Sequence, residues 1–378
     1  MADSLTERQA FMILNDLPNI GPVTLHRLLA EFGGDPVAIL GADRRRLESV
    51  RGVGPETSAS VFNWRQHFDL AREEGRLARA GATFITPRDE GYPRLLKEIH
   101  DPPIGLYRKG AYLFDQPCIA VVGSRRTTLY GQAVAKRLGA DLARLGFCVV
   151  SGLARGIDTA AHEGALSVGG KTAAVLGTGI DIIYPSENIG LYRQIAESGA
   201  VLSEFPFGRK ADRQSFAMRN RIISGICEAV VVVESDVSGG AMITARFAGE
   251  QGRLLYAVPG RIDQPSSAGC HQLIRDGATL LTGVDDILNE LNYLDGLRPR
   301  PIEQPDQPKL LEQLLSQLDA AEQRVIAAFA GGAMLGIDAL AATTGLPAAQ
   351  VSAALLSLEL KRLVSKRADG TFEARSLS

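Results

Sequence analysis

The feature that most constrains the fold is a cadence that begins at Ile119: a short apolar run, a Gly/Ser loop, then a stretch with helical spacing. Ile119–Val122 leads into Gly123-Ser124-Arg125-Arg126, and Phe147–Val150 leads into Ser151-Gly152-Leu153-Ala154-Arg155-Gly156-Ile157-Asp158. Open parallel sheets present ligand sites in such loops, at the carboxyl ends of their strands. Glycine admits close backbone approach, and a helix start offers free N–H groups to an anion. Further apolar runs follow at Thr172–Leu176, Val201–Phe205, Val230–Glu234, Leu254–Val258 and Thr279–Leu281, separated by helix-like segments. Strands that are apolar throughout are buried on both faces. The expected class is therefore α/β, with a doubly wound, mostly parallel sheet.

A chain of 378 residues holds two or three domains. The segment 1–80 reads as a small helical domain, and 81–292 carries the sheet. Within the first, Leu17-Pro-Asn-Ile20-Gly21-Pro22 and Val50-Arg-Gly52-Val53-Gly54-Pro55 resemble each other and the loops of helix-hairpin-helix modules, whose N–H groups hold DNA phosphates. Two readings stay open there, DNA contact or a compact helical fold with Gly-Pro turns. His26 and Arg27 give the first loop thin basic support, whereas Arg44, Arg45, Arg46 and Arg51 surround the second. Between Gly81 and Leu113, two short strands around a helix extend the sheet edge. Residues 293–309 are Pro-rich and read as a semi-rigid linker. Residues 310–378 read as a winged helix: Ile337–Thr344, a Gly345-Leu-Pro347 turn, Ala348–Lys361, then a wing with an Asp369-Gly370 turn. Its second helix offers almost no base-reading side chains, so protein contact is weighed slightly ahead of DNA. The cations near it are Lys361, Arg362, Lys366 and Arg367.

A net charge of −2 excludes a globally basic nucleic-acid binder but leaves local patches open. The cysteines (Cys118, Cys148, Cys227, Cys270) lack CxxC spacing, which favours buried thiols over disulfides or zinc. No apolar run spans a bilayer and no signal core opens the chain, so a soluble cytoplasmic protein without membrane contact is expected. No metal and no cofactor are expected.

At the carboxyl ends of the expected strands stand Gly123-Ser124-Arg125, Ser151-Gly152 through Arg155-Gly156, Gly177-Thr-Gly179, Glu204-Phe-Pro206-Phe-Gly208, Ser238-Gly239-Gly240 and Pro259-Gly260. Gly-rich loops repeated along one sheet edge point to an extended groove. The spacing gives neither Gly-x-Gly-x-x-Gly after the first run nor a phosphate-binding Gly-x-x-x-x-Gly-Lys-Ser/Thr, which weakens dinucleotide and ATP readings. Between Phe205 and Gly225 lie Arg209, Lys210, Arg213, Arg219 and Arg221 against the single acid Asp212, with Phe216 interleaved. Cations that track a backbone beside a ring that stacks on a base suit single-stranded nucleic acid. For Phe216 a place in the core is the competing reading. Paired guanidinium groups, as in Arg219-Asn220-Arg221, suit phosphate. Asp158 and His162 share a helix face, and Glu204, Glu234 and Asp181 end strands, but no pair of these groups defines acid and base roles. Binding is favoured over turnover.

These residues also resemble a known family. Gly123-Ser-Arg125, Ser151-Gly152-x-Ala154-x-Gly156-Ile157-Asp158-x-x-Ala161-His162, Gly177-Thr-Gly179-Ile-Asp181-x-x-Tyr184-Pro185, Ser203-Glu204-x-Pro206, Phe216-x-x-Arg219-Asn220-Arg221, Ser238-Gly239 with Thr244, and Pro259-Gly260 occur in the order of the DprA/Smf DNA-processing proteins. The resemblance is dense over residues 83–290 and looser in the flanking modules. It implies a Rossmann-like domain that binds single-stranded DNA, forms a homodimer, and loads RecA recombinase during natural transformation. The N-terminal module would be of the SAM or helix-hairpin-helix kind. By motif, Arg125 would contact the strand, and Arg213 and Phe216 would be its basic and aromatic binding positions. Gly-Cys270-His271-Gln-Leu-Ile departs mildly from the family's usual Gly-x-Asn-x-Leu-Ile. The alternative is a nucleotide-cleaving phosphoribohydrolase of a related family, because Ser238-Gly-Gly-Ala-Met-Ile-Thr244 is similar to its Pro-Gly-Gly loop. That family's Pro and third Gly are absent here, and Glu250 is displaced from its acid.

Overall fold

A computed structural model describes residues 5–291, 318–329, 335–361, 363–366 and 370–374. The linker expected at 293–309 lies outside the described residues, as do Arg362, Arg367 and the Asp369 of the expected wing turn. The chain forms two compact units, Met1–Ile302 and Glu303–Ser378.

The strands of the first unit are β1 (Ala82–Ile85), β2 (Leu106–Lys109), β3 (Cys118–Val122), β4 (Cys148–Ser151), β5 (Thr172–Leu176), β6 (Ala200–Ser203), β7 (Ala229–Val232), β8 (Leu254–Ala257) and β9 (Thr279–Leu280). They make one sheet in the order β1-β2-β6-β5-β4-β3-β7-β8-β9. From β6 to β9 the neighbours are parallel, while β1 and β2 add an antiparallel edge. Every residue of β3 to β7 is buried, and successive side chains alternate between two cores. Ile119 and Val121 pack with Val149, Val231 and Tyr256. Ala120 and Val122 pack on the other face with Val150, Val175, Val230 and Val232. At about 1.5–3 kcal/mol per buried Val or Ile, those two layers dominate the folding energy and explain why the strands read as continuous apolar runs.

From β3 the chain steps through β4 and β5 to β6, by way of helices Leu129–Arg144, Ile157–Ser167 and Ile189–Ser198. Helix Arg213–Ile226 then carries it back across the sheet, and β7, β8 and β9 continue on the other side of β3. The direction thus reverses between β3 and β7, and such a reversal opens a crevice at the carboxyl ends of the flanking strands. This is a Rossmann-like architecture.

The helices between Glu7 and Ala80 pack against the antiparallel edge. Both Gly-Pro loops place Gly at the helix cap and Pro at the first turn, where a missing N–H costs nothing. The two loops touch, because the Thr57 hydroxyl donates to the Asn19 carbonyl at 3.3 Å. Nearby cations are engaged internally: Arg27 donates to the Arg51 carbonyl at 3.4 Å, and Arg46 lies 4.5 Å from the Phe32 ring centre. Phe11, Leu14, Leu28 and Trp64 share one core with Phe84, Tyr107 and Phe207. Tyr107 stands at its centre, with the Phe84 and Phe207 rings edge-on at 5.0 and 5.4 Å and its hydroxyl on buried Glu73 at 3.0 Å. The boundary expected at residue 80 is thus not a break in packing.

The second unit is a winged helix. Helices Ala320–Ala327, Ile337–Thr344 and Ala348–Leu360 precede an antiparallel pair, β10 (Val364–Lys366) and β11 (Phe372–Ala374). Gly345, left-handed at φ 69°, ends the second helix, and the axes of the last two helices bend by 108°. Val325, Leu340, Val351, Leu355 and Leu358 form the core. Buried Glu322 accepts from the Lys361 ammonium at 2.6 Å and the Ser357 hydroxyl at 2.5 Å, so Lys361 is tied to its own domain. On the last helix Leu356 and Leu360 are exposed. Among the described residues no single helix is long and apolar enough to cross a membrane.

Candidate nucleic-acid interface

The crevice at the β3–β7 reversal is a cleft of about 580 Å³. Its walls are the loop after β3 (Gly123, Ser124, Arg125, Arg126), the loop after β7 (Ser235 to Gly240), and the cleft-facing side of helix Arg213–Ile226. Ala154 and Asp158 contribute from beyond β4.

The loop after β3 is held by Glu234, an acid that follows β7. Its backbone carbonyl accepts the Ser124 N–H at 2.6 Å. Its carboxylate accepts the Thr127 and Thr128 hydroxyls at 2.6 and 2.5 Å and the Thr128 N–H at 2.9 Å. Gly131 leaves room for this carboxylate, since a Cβ there would lie 2.4 Å from it. Thr128 in turn accepts the Gly131 N–H at 3.0 Å and caps helix Leu129–Arg144. A buried carboxylate with several donors fixes its partners firmly. Arg125 is thereby presented over Phe216, its guanidinium carbon 4.9 Å from the ring centre.

Phe216 is half-buried, which lies between its two sequence readings. Its ring also meets Arg219 at 5.8 Å and Tyr184 at 5.5 Å. Arg219 is buried; it donates to the carbonyls of Gly152 (2.8 Å) and Val175 and, through Nε, to Asn220 at 3.1 Å. Burial pulls its pKa down to about 10, against the opposing charge of Asp158, so it stays cationic at neutral pH. Asp158 is raised from the ordinary carboxylate value by burial, with Arg219 and the N–H groups of Ala154 and Gly152 opposing. Those N–H groups donate to its Oδ2 at 3.3 and 3.1 Å, so Asp158 shapes the loop after β4. Neighbouring His162 is wholly buried and pushed down to about 3, chiefly by desolvation. The Thr172 hydroxyl donates to Val149 and so receives His162 Nδ1–H at 2.7 Å; the imidazole is a neutral structural group. Around the cleft, the guanidinium groups of Arg125, Arg126, Arg213 and Arg219 face the carboxylates of Asp158 and Asp236. Cations outnumber acids, so the cleft suits an anion.

Of the residues expected to bind, Gly123, Ser124, Arg125, Arg213, Phe216, Arg219, Asn220, Ser238, Gly239 and Gly240 line the cleft. The others are placed elsewhere. Arg221 is buried in ion pairs, its Nη2 2.6 Å from Glu204 and its Nε 2.9 Å from Asp101, and does not face the cleft. Ser151 donates to the Val121 carbonyl at 2.7 Å, tying β4 to β3. Arg155 is exposed and paired with Glu187. The glycines also have a different reason from the one expected. A Cβ on Gly152 would lie 2.3 Å from the Arg219 guanidinium, and one on Gly177 would lie 2.7 Å from the Phe216 ring. Gly156 (φ 79°) and Gly179 likewise meet backbone carbonyls, of Ser124 and Pro206. Their missing side chains let the protein's own groups close together; of these loop glycines, Gly240 has open space at that position.

Sequence reasoning missed the work of Glu234 and Asp158, and missed Asp236 and Thr244 in the lining. The signal for Glu234 was an acid directly ending an apolar run. Glu250, the acid of the alternative reading, pairs with Arg246 at 3.6 Å and is not among the cleft-lining residues.

The family model described as "DNA recombination-mediator protein A" matches residues 83–292, more than half of the chain. The chain belongs to the DprA/Smf family. The matched segment contains every residue that lines the cleft. A second family model, the DprA winged helix domain, matches residues 299–370. Protein Smf of Synechocystis sp. is 33% identical, over 99% of this chain and 100% of that one. The crystal structure of DNA processing protein A from Streptococcus pneumoniae superposes with a TM-score of 0.65 at 35% identity, covering 76% of this chain and 98% of that one. A structure concerned with the single-stranded DNA binding mode of DNA processing protein A from Helicobacter pylori gives 0.51 at 30% identity, covering 57% and 98%. In the stretch where this DprA/Smf chain departs from the family pattern, His271 donates from Nε2 to the Gly260 carbonyl at 3.0 Å.

Proposed function

We propose that this protein binds single-stranded DNA in the cleft between the β3 and β7 loops, acts as a homodimer, and delivers the strand to RecA recombinase during natural transformation. The observation that carries the reading is the excess of guanidinium groups around a half-buried ring in that cleft, on a chain whose net charge is −2. Arg125 and Arg213 are exposed there and can meet phosphates, and the Ser238–Gly240 loop adds an open rim. The Helicobacter pylori relative, a single-strand binder by its own description, supports the same ligand.

The test is a titration of labelled single-stranded and blunt duplex oligonucleotides across a salt series. Single strands should bind more tightly, with affinity falling steeply as salt rises because displaced counterions are released. Sequence preference should be slight, since backbone contact and stacking read little sequence. Equal or tighter duplex binding at moderate salt would refute the reading. RecA delivery is tested by adding the protein to strands already coated with single-strand binding protein and following RecA filament growth.

A further inference from the structure

We propose that the helical segment before β1 holds a second binding site, a cavity walled by Asp16, Trp64 and Arg72, and that it takes a free guanine nucleotide. The site is separate from the cleft and does not depend on the single-strand reading.

The cavity measures about 620 Å³, within the range of small-molecule sites. It lies between the end of helix Glu7–Asp16, the turn from Trp64 to Asp69 and the first two turns of helix Leu70–Ala80. Its two inner acids differ. Glu73 is 4% exposed and fully engaged: Oε1 accepts the Tyr107 hydroxyl at 3.0 Å, and Oε2 accepts the Arg76 guanidinium at 3.2 Å. Asp16 is half-buried and, among the described residues, its carboxylate has neither a hydrogen bond nor an ion pair. Burial, with Glu73 beside it, raises its pKa to about 6 against the pull of Arg76. At neutral pH it is ionised and without a donor, which is costly away from water. A ligand that brings donors removes that cost.

The remaining charges suit an anion. Asp69 is committed to the Arg72 N–H, which it caps at 3.0 Å. Arg65 lies over the Trp64 ring, its guanidinium carbon 4.3 Å from the ring centre. Arg65, Arg72 and His67 are exposed, and the two guanidinium groups form no ion pair among the described residues. Free guanidinium groups suit phosphate, and an unpaired carboxylate suits paired N–H donors. A guanine nucleotide carries both, because its N1–H and N2 amino group lie side by side and meet the two oxygens of one carboxylate. Adenine and cytosine set an acceptor beside their amino group, and uracil sets a carbonyl on either side of its N–H. Those acceptors would face the charges of Asp16 and Glu73.

The experiment is isothermal titration calorimetry of the full chain with the monophosphates of guanosine, adenosine, cytidine and uridine, and with inorganic phosphate. Guanosine monophosphate should bind about tenfold or more tightly than the rest, the scale of one bidentate pair. Its affinity should fall about tenfold from pH 7 to pH 5 as Asp16 takes up its proton. Of the other groups around Asp16, the guanidinium groups of Arg65, Arg72 and Arg76 keep their charge, while a proton gained by His67 would favour phosphate and oppose the fall. Asp16→Asn should lose most of the guanine preference and this pH dependence. It should also fold well. An acid raised in the folded state adds stability below its unfolded value and loses it as pH rises through about 6, so a neutral amide should raise the melting temperature at pH 7. Arg72→Ala should weaken all four nucleotides alike, and oligothymidylate should displace none of them. Absence of guanosine monophosphate binding at millimolar concentration would overturn the assignment. So would equal affinity for uridine monophosphate, undiminished binding by Asp16→Asn, or displacement by oligothymidylate.

Discussion

Arg213 and Arg221 lie about two turns apart on one helix and end in opposite surroundings. Arg213, in the first turn, is exposed and lines the cleft. Arg221, near the other end of the helix, enters a buried pair with Glu204, and Asp101 also pairs with it. By sequence the two look alike, as members of one cation-rich stretch. The comparison teaches that a run of cations advertises charge, whereas the place of each along the helix and the distant acids that meet it decide which charges a ligand can reach.

The sharpest way to break the comparison is to remove each cation and ask which property fails. Arg221→Ala leaves the Glu204 carboxylate buried without its partner, which should cost about 3–5 kcal/mol of stability. Urea unfolding measures this, and strand affinity of the folded fraction should be unchanged. A stable Arg221→Ala protein that binds DNA poorly would reverse the assignment.

Glu234 stands between the two cases, a buried acid whose purpose is to present an exposed cation. Glu234→Ala should cost about 1–3 kcal/mol of stability, because it leaves the Thr128 N–H and two hydroxyls without their acceptor. It should also weaken strand binding through Arg125. In a double-mutant cycle read by affinity, Glu234→Ala and Arg125→Ala should therefore be non-additive. Simple additivity would mean that the loop keeps its place without the acid.

Arg125→Ala should leave the melting temperature nearly unchanged and weaken single-strand binding by about 1–3 kcal/mol, the scale of a charge-assisted hydrogen bond. Arg125→Lys should recover part of this, keeping charge without the planar fork. Arg126→Ala, which removes a cation without a ring contact, should do less. Unchanged affinity in Arg125→Ala would take the β3 loop out of the proposed groove.

The smallest effect is expected from removing residues 310–378. The second unit has its own core, Lys361 is engaged by Glu322, and the outer face of its last helix shows Leu356 and Leu360. Affinity for single strands should stay within a few-fold, read in the same titration. A loss of about tenfold or more, equal to 1.4 kcal/mol, would place this unit in the DNA contact.

Much of the architecture was legible because the signals that specify it are local. The apolar runs from Ile119 to Val258 became β3 to β8 with shifts of a residue or two at their ends. A run buried on both faces must be apolar at every position, and few other structures ask for that. The Gly/Ser loops were likewise found at the carboxyl edge, and the winged helix followed from its turn and helix spacing. What the helical segment before residue 80 packs against was not legible, because amphipathic helices reveal that they bury a face but not against what. Tyr107, on a strand beyond the expected boundary, is what that face covers.

By itself, then, the sequence determined the order of elements, the sheet edge where a ligand site can form, and the concentration of positive charge near it. Each of these depends on residues close together in the chain. Only the tertiary structure decided which residues make the site. The Arg221–Asp101 and Glu234–Thr127 contacts join residues 120 and 107 positions apart, and Gly152 is kept small by a guanidinium from another element. Such pairings arise when the strands order themselves side by side, and no local pattern of residue types carries that order.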